Sequence, residues 1–282
     1  MTIQWKYYNH AVIPTTAPHR PVQEQPLRDG TVWKVGGFPL LARWTSNWDC
    51  GFETNWWYCI RDGAFALELM SSSTRKRIRQ AMRKNRVEHR VLSEALAEEM
   101  YAVYLEATAH YERFNQIRTR ESYFQEIQSL KGSREVFLSY DMEGALTAYI
   151  TCRPEEDWVE IESARFGDKA RKIGSSDALY YNLLDYYLNE RKLLYVSSGA
   201  RTINHITETQ EYKERVFGYR KAYCYLHIKY RLPLFVAIQI LYPFREKLKR
   251  WDSKTAVHQL NALLNMEELV RTQPPLPAER KE

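Results

Sequence analysis

A strand, a glycine-containing turn and a helix follow one another near the middle of this chain, and this order constrains the fold more than any other feature. Residues 158–165 read as a strand, and residues 177–190 read as an amphipathic helix. Between them, Arg171, Gly174 and Ser176 form the pattern R-x-x-G-x-S. A glycine permits a tight turn and close backbone approach, and the N–H groups at a helix start favour an anion. The segment therefore predicts a diphosphate-binding turn.

The composition is typical of a folded protein, and the sequence has no pattern that predicts a metal site or a membrane-spanning segment. The 282 residues are 44% hydrophobic and 27% charged, enough for one large domain or two small ones. The four cysteines lie far apart and the histidines lack zinc-ligand spacing, so we expect free thiols and no metal. The N-terminus has no apolar signal region, and the longest apolar run, 234–244, is too short to span a bilayer. We therefore expect a cytoplasmic protein.

From residue 87 onwards the predicted elements form a regular series. Hydrophobic periodicity, turn residues and helix-start signals place each element along the chain. The expected elements are a strand at 87–92, helices at 93–110 and 119–130, strands at 135–140, 145–152 and 158–165, a helix at 177–190, a strand at 193–197, a helix at 207–217 and a strand at 219–230. The order is β-α-α-β-β-β-α-β-α-β.

This order resembles the GNAT acyltransferase fold, an α/β fold with a mixed sheet. The R-x-x-G-x-S segment lies where that fold has its acyl-CoA pyrophosphate loop, usually written Q/R-x-x-G-x-G/A. Ser176 stands where the loop usually has glycine or alanine. The resemblance implies acyl-CoA, acetyl-CoA or a longer thioester, as donor, held by Arg171, Lys172, Ile173, Gly174, Ser175 and Ser176.

Two further segments resemble FemAB-like transferases, which are built from GNAT-type units. Residues 71–87, SSSTRKRIRQAMRKNRV, are similar to the pattern S-x-x-T-R-x-x-I-R-x-A, and FGYRKAY at 217–223 is similar to FG-F/Y-R-K. FemAB-type peptidyltransferases usually have two complete GNAT-like units, whereas residues 1–86 suffice only for an incomplete one. The predicted organisation is a partial GNAT-like unit at 1–86, a GNAT-like acyltransferase domain at 87–230, and a C-terminal helical appendage with a disordered tail at 231–282.

Glu160 and Glu162 are candidate bases for acyl transfer, because an attacking amine must lose a proton. They alternate with Val159 and Ile161, so both carboxylates point to one face of the strand. Two carboxylates on a central strand are costly to bury without a purpose or a partner. The alternative is a strand near the sheet edge, with both glutamates solvated or paired to arginines. The sequence leaves both interpretations open.

Three other residues are candidates from their position. Tyr212 lies on the last predicted helix, where GNAT enzymes often have a tyrosine acid, although it precedes Gly218 by six residues rather than four. Asn204 and His205 follow the strand at 193–197, at the rim of the expected sheet opening. Asn204 is a candidate substrate ligand, and His205 is a candidate base or a polar loop residue. Packing is the alternative role for Tyr212.

The positive charge of the chain is concentrated in one predicted helix, 74–86, and the residues after it. Residues 75–90 contain eight Lys and Arg and one Glu, whereas the whole chain has a net charge of only +6. Arg75 and Arg79 lie one turn apart on one face and are candidates to hold an anionic acceptor. The alternatives are a solvated face, or salt-dependent contact with tRNA or a membrane surface.

The resemblance implies a cytoplasmic N-acyltransferase that moves an acyl group from acyl-CoA to an amine. The expected acceptor is a small molecule or glycan precursor, such as a sugar amine in polysaccharide or cell-envelope biosynthesis, and DNA is not an expected partner. Two alternatives stay open. One is an aminoacyl-tRNA-dependent aminoacyl or peptidyl transferase with tRNA as the donor. The other is a non-catalytic binding or membrane-associated scaffold. Peripheral contact with the inner membrane surface is a further expectation.

Overall fold

The computed structural model describes residues 4–109, 117–202, 208–251 and 255–276. It contains two compact units. The described residues of the first come from Met1–Tyr58, Ala200–Thr207 and Lys221–Glu282, and those of the second come from Cys59–Gly199 and Glu208–Arg220. This division does not follow the predicted boundaries at residues 86 and 230, because N-terminal and C-terminal segments pair with each other inside the first unit.

The first unit is built on a sheet with the order β1-β2-β3-β10. Strands β1 and β2 are antiparallel, β2 and β3 are parallel, and β3 pairs with β10 in antiparallel register. Its strands are β1 (Trp5–Tyr8), β2 (Ala11–Pro14), β3 (Leu41–Ser46) and β10 (Arg220–Tyr230). Its helices are α1 (Gln25–Arg28), α8 (Leu232–Leu241), α9 (Arg245–Lys249) and α10 (Thr255–Thr272), with 3-10 turns at Thr31–Lys34 and Tyr242–Phe244.

The second unit has the sheet order β9-β8-β7-β6-β5. Strands β5 to β8 are antiparallel neighbours, whereas β8 and β9 are parallel. The strands are β5 (Asn85–Val91), β6 (Glu135–Asp141), β7 (Leu146–Pro154), β8 (Trp158–Phe166) and β9 (Tyr195–Ala200). A further strand, β4 (Trp56–Asp62), contains the division between the units.

Helices cover both faces of this second sheet. They are α2 (Ser72–Lys84), α3 (Ala97–Thr108), α4 (Arg120–Leu130), α5 (Asp168–Ile173), α6 (Ser175–Leu184) and α7 (Glu208–Phe217), with 3-10 turns at Leu67–Leu69 and Glu94–Leu96 and a π-helix at Asp185–Glu190. Alternation along β6 explains the two layers: Phe137 packs in the core under α6, whereas Val136 and Leu138 pack under α3 and α4.

The predicted α/β order is confirmed, with local corrections. Ser71 is the N-cap of α2, because its hydroxyl accepts from the Thr74 N–H, so the helix starts at Ser72, two residues earlier than predicted. The helix predicted at 93–110 starts later, at Ala97, because Ser93 makes no cap hydrogen bond and a 3-10 turn at Glu94–Leu96 precedes α3. The single helix predicted at 177–190 is instead α6 followed by the π-helix.

Candidate functional site

An opening in the second unit's sheet begins where the parallel strands β8 and β9 separate. The two strands pair at three positions, ending with Glu160 opposite Ser197. Beyond this point β8 stays paired to β7, as far as Phe166 opposite Ala148. In open α/β sheets, ligands bind in a crevice outside the carboxyl ends of the strands.

Lys213, on α7, is buried beside this opening. The residue is only 4% exposed. Its Nζ donates a hydrogen bond to Ser198 Oγ and lies 5.1 Å from the ring centroid of Tyr180. Among the described residues it has no carboxylate partner. Burial lowers the pKa of Lys213 to about 8. A buried amine that titrates near neutral pH at a strand opening is a functional-site candidate.

Two tyrosine hydroxyls lie in the same buried region. Within the described chain, the hydroxyls of Tyr180 and Tyr219 are buried and have no hydrogen-bond partner. Tyr219 is close to Lys213 through the backbone, since its N–H donates to the Lys213 carbonyl over 3.3 Å. Burial raises the pKa of both phenols, so both are neutral donors at pH 7. An unpaired buried hydroxyl costs about 1–3 kcal/mol, and a bound carbonyl oxygen would satisfy it.

The R-x-x-G-x-S segment forms a helix-to-helix joint rather than a simple turn. Arg171 and Lys172 lie exposed in the last turn of α5, and Gly174 joins α5 to α6 with a φ of +76°. A Cβ built on Gly174 would lie 3.1 Å from the Ala81 side chain of α2. Helix α2 therefore packs directly against the glycine.

Hydrogen bonds also tie this joint to its surroundings. Ser175 Oγ lies 2.7 Å from Asn85 Oδ1 and 2.9 Å from Thr147 Oγ1, and Asn85 Nδ2 donates to the Ile173 carbonyl over 2.9 Å. Asp177, buried in the first turn of α6, places its carboxylate near the positive end of the helix dipole. A diphosphate there would meet this carboxylate and the packed α2. The acyl-CoA role of residues 171–176 stays a prediction.

Tyr212 is also engaged with Asp177. Its hydroxyl donates to Asp177 Oδ1 over 2.5 Å and lies 3.3 Å from Ser176 Oγ. Burial, together with the neighbouring carboxylate, raises the pKa of Tyr212. Arg77 pairs with the same carboxylate at 2.8 Å. The acid role of Tyr212 stays a prediction, and its contacts tie α7 to α6 and α2.

Glu160 and Glu162 form ion pairs on one face of β8, and Val159 and Ile161 pack in the core on the other face. Glu162 receives a bidentate pair from Arg134, at 2.6 and 3.0 Å, and Glu160 pairs with Arg153. Both side chains are half-buried and paired to arginines, which agrees with the alternative interpretation that these glutamates are ion-paired residues of the strand. Their role as bases stays a prediction.

The substrate-binding candidates fall in different places. Arg75 donates to the carbonyls of Glu68 and Met70 at 3.2 and 3.4 Å, so it fixes the segment before α2, whereas Arg79 is exposed. Asn204 and His205 lie outside the described residues. Over the parts of the chain that are described, no group of His, Cys, Asp and Glu could hold a metal ion, and no helix is long and apolar enough to cross a membrane.

No protein-family model and no curated protein matches the sequence. Among solved structures, L-PGS from Bacillus licheniformis matches with a TM-score of 0.52 and 14% identity, over 83% of this chain and 82% of that chain. FemX matches with a TM-score of 0.47 and 10% identity over 61% and 60%, and a GNAT-family acetyltransferase from Bacillus anthracis with 0.31 and 19% over 39% and 67%. This chain has the GNAT/FemAB-like acyltransferase fold.

Three residues of this GNAT/FemAB-like structure were not among the candidates predicted from the sequence: Lys213, Tyr180 and Tyr219. A signal for Lys213 was present: it precedes Val216 and Phe217 by three and four residues, so it shares their helix face, and both are buried. A lysine on the apolar face of a helix is uncommon. The tyrosines gave no such signal, because 20 tyrosines are spread along the chain.

Proposed function

We propose that this protein is an acyltransferase that passes an acyl group from an ester or thioester donor to an amine, with the reacting carbonyl in the opening between β8 and β9. Buried Lys213 beside this opening is the observation that carries the proposal. The unpartnered hydroxyls of Tyr180 and Tyr219 in the same region support it. The acceptor that we propose is the amine of a small-molecule or cell-envelope precursor.

The chemistry requires few protein groups. The amine nitrogen attacks the carbonyl carbon, the carbonyl oxygen becomes an oxyanion, and the bond to the donor oxygen or sulfur then breaks. The leaving group takes up a proton as the amine loses one. Protonated Lys213 would stabilise the oxyanion in the water-poor interior, and a tyrosine hydroxyl would donate to it. Neutral Lys213 would accept the amine proton, and a pKa of about 8 allows both forms near neutral pH.

An aminoacyl-tRNA fits the structure better than acyl-CoA as the donor. At the start of α6, the packing of α2 on Gly174 opposes a diphosphate, and Arg77 is already paired with the Asp177 carboxylate. Lys76, Arg79 and Arg83, at positions i, i+3 and i+7 of α2, are exposed along one side of the helix. Such a stripe suits a phosphate backbone, to which cations bind with strong salt dependence.

Direct binding distinguishes the two donors. Total bacterial tRNA and acetyl-CoA are titrated into the full chain by calorimetry at 50 and 200 mM salt. We expect tRNA to bind more weakly at the higher salt, and the triple variant K76Q/R79Q/R83Q to lose most of the affinity. The matched control replaces three exposed cations elsewhere, R28Q/R120Q/K131Q. Tight binding of acetyl-CoA, lost in G174D, would instead assign the donor to acyl-CoA.

A further inference from the structure

One side of helix α8 is an exposed apolar stripe. Leu232, Phe235, Val236 and Ile240 follow the spacing i, i+3, i+4 and i+8, which places them on one face. All four are exposed, Leu232 by 74% and Ile240 by 61%, whereas Ile238 on the other side is fully buried. Large apolar side chains in such a continuous exposed row mark an interaction surface.

The apolar surface continues beyond the helix. Phe244 and Trp251 are exposed at either end of α9, and Trp251 is 68% exposed. Phe38 is also exposed and lies 5.2 Å from the guanidinium of Arg231, the residue just before α8. We call these exposed residues the apolar face: Phe38, Leu232, Phe235, Val236, Ile240, Phe244 and Trp251.

Cations accompany the apolar face. Residues 231–251 contain five Lys and Arg and a single Glu. Lys249 pairs with Glu246 at 2.9 Å, and Arg245 pairs with Glu268 at 3.4 Å. Lys247 and Arg250 are exposed; Lys247 follows Phe244 by three residues, and Arg250 directly precedes Trp251. Apolar side chains beside exposed cations and a tryptophan are the features of a helix that lies in a bilayer interface.

We propose that the apolar face and its flanking cations dock the protein onto the surface of a bilayer that contains anionic lipid. Helix α8 has ten residues, about 15 Å of helix, so it fits the interface and does not span the membrane. A second copy of the chain is a poorer occupant, because a two-fold contact would bring the cations of one copy against those of the other. This inference does not rest on the acyl-transfer proposal, since lipid binding needs no donor.

Vesicle sedimentation with the full chain tests the inference. The vesicles contain phosphatidylcholine alone or an equal mixture with phosphatidylglycerol. We expect binding to the anionic vesicles that weakens at high salt. The variant F235S/I240S should lose affinity at least about tenfold, and K247Q/R250Q should lose about fivefold per cation. The matched control L69S/M142S replaces two apolar side chains that are exposed in the second unit, and it should bind like the wild type.

The outcomes separate the possible occupants. Loss of binding in both variants and not in the control supports the docking surface. Absence of wild-type binding to either vesicle overturns it, as does equal binding by F235S/I240S. Analytical ultracentrifugation of the same proteins tests for self-association. A wild-type dimer that becomes a monomer in F235S/I240S, without lipid binding, would assign the apolar face to self-association and overturn the inference. Circular dichroism verifies that each variant is folded.

Discussion

Replacing Lys213 by methionine should stabilise the protein at pH 7. The lysine is buried without a carboxylate partner among the described residues, and burial lowers its pKa from an ordinary value of 10.5 to about 8. At 1.36 kcal/mol per pKa unit, this difference lowers the free energy of unfolding by about 3 kcal/mol when the amine is protonated. Methionine has a similar length and no charge, so it removes this cost and keeps most of the packing.

The stability difference between the wild type and K213M should depend on pH. Between pH 8 and 10.5 the unfolded chain holds a proton on Lys213 that the folded protein has released, so wild-type stability rises with pH in this window. The cost is therefore fully present below pH 8 and disappears as the pH approaches 10.5. Relative to K213M, the wild type should gain about 2–3 kcal/mol between pH 7 and pH 10. Other titrating groups act on both proteins and cancel in the difference.

Urea denaturation at pH 7 and pH 10 measures this difference. The control K131M removes an exposed lysine and should change the free energy of unfolding by less than about 0.5 kcal/mol. The reasoning is refuted if K213M is less stable than the wild type at pH 7 and the gap stays the same at pH 10. That result would mean that the buried amine has a stabilising partner and no perturbed titration.

Three further predictions follow from the neighbouring contacts. G174A should cost about 1 kcal/mol more than G144A in urea denaturation, since both glycines have positive φ but only Gly174 has Ala81 within 3.1 Å of the new methyl; equal losses would contradict this packing. Y212F should lose about 1 kcal/mol of stability, because the Asp177 carboxylate loses a donor, and should keep its turnover. E162Q should leave turnover within about twofold, whereas a loss of about a hundredfold would make this glutamate the base.

The periodicity of the sequence was sufficient to predict the order of helices and strands in the second unit. Strands β6 to β8 could be located because each alternates or runs apolar between clear turns, such as the one closed by Gly144 at a φ of +89°. The division into two units could not be located, because it depends on pairing between β3 and β10, which lie about 180 residues apart in the chain. Local patterns contain no information on such pairing.

The candidate site was harder to predict than the fold. The pattern R-x-x-G-x-S was found at a helix start, but only the structure shows that α2 packs on its glycine and that Asp177 is buried in the first turn of α6. Glu160 and Glu162 stood out as polar residues on a strand, and their arginine partners come from other strands and loops. The position of Lys213 on the apolar face of α7 was visible in the sequence, but its hydrogen bond to Ser198 in β9 was visible only in the structure.

The most direct measurement of the central claim is transfer of a labelled acyl group to hydroxylamine, a small amine acceptor. Donors are total tRNA charged with labelled amino acids and, separately, labelled acetyl-CoA. We expect the wild type to form hydroxamate from charged tRNA faster than the uncatalysed reaction. K213M should lower the catalysed rate about a hundredfold, and K131M should not change it. No acceleration with either donor, or equal rates for wild type and K213M, would contradict acyl transfer at the opening beside Lys213.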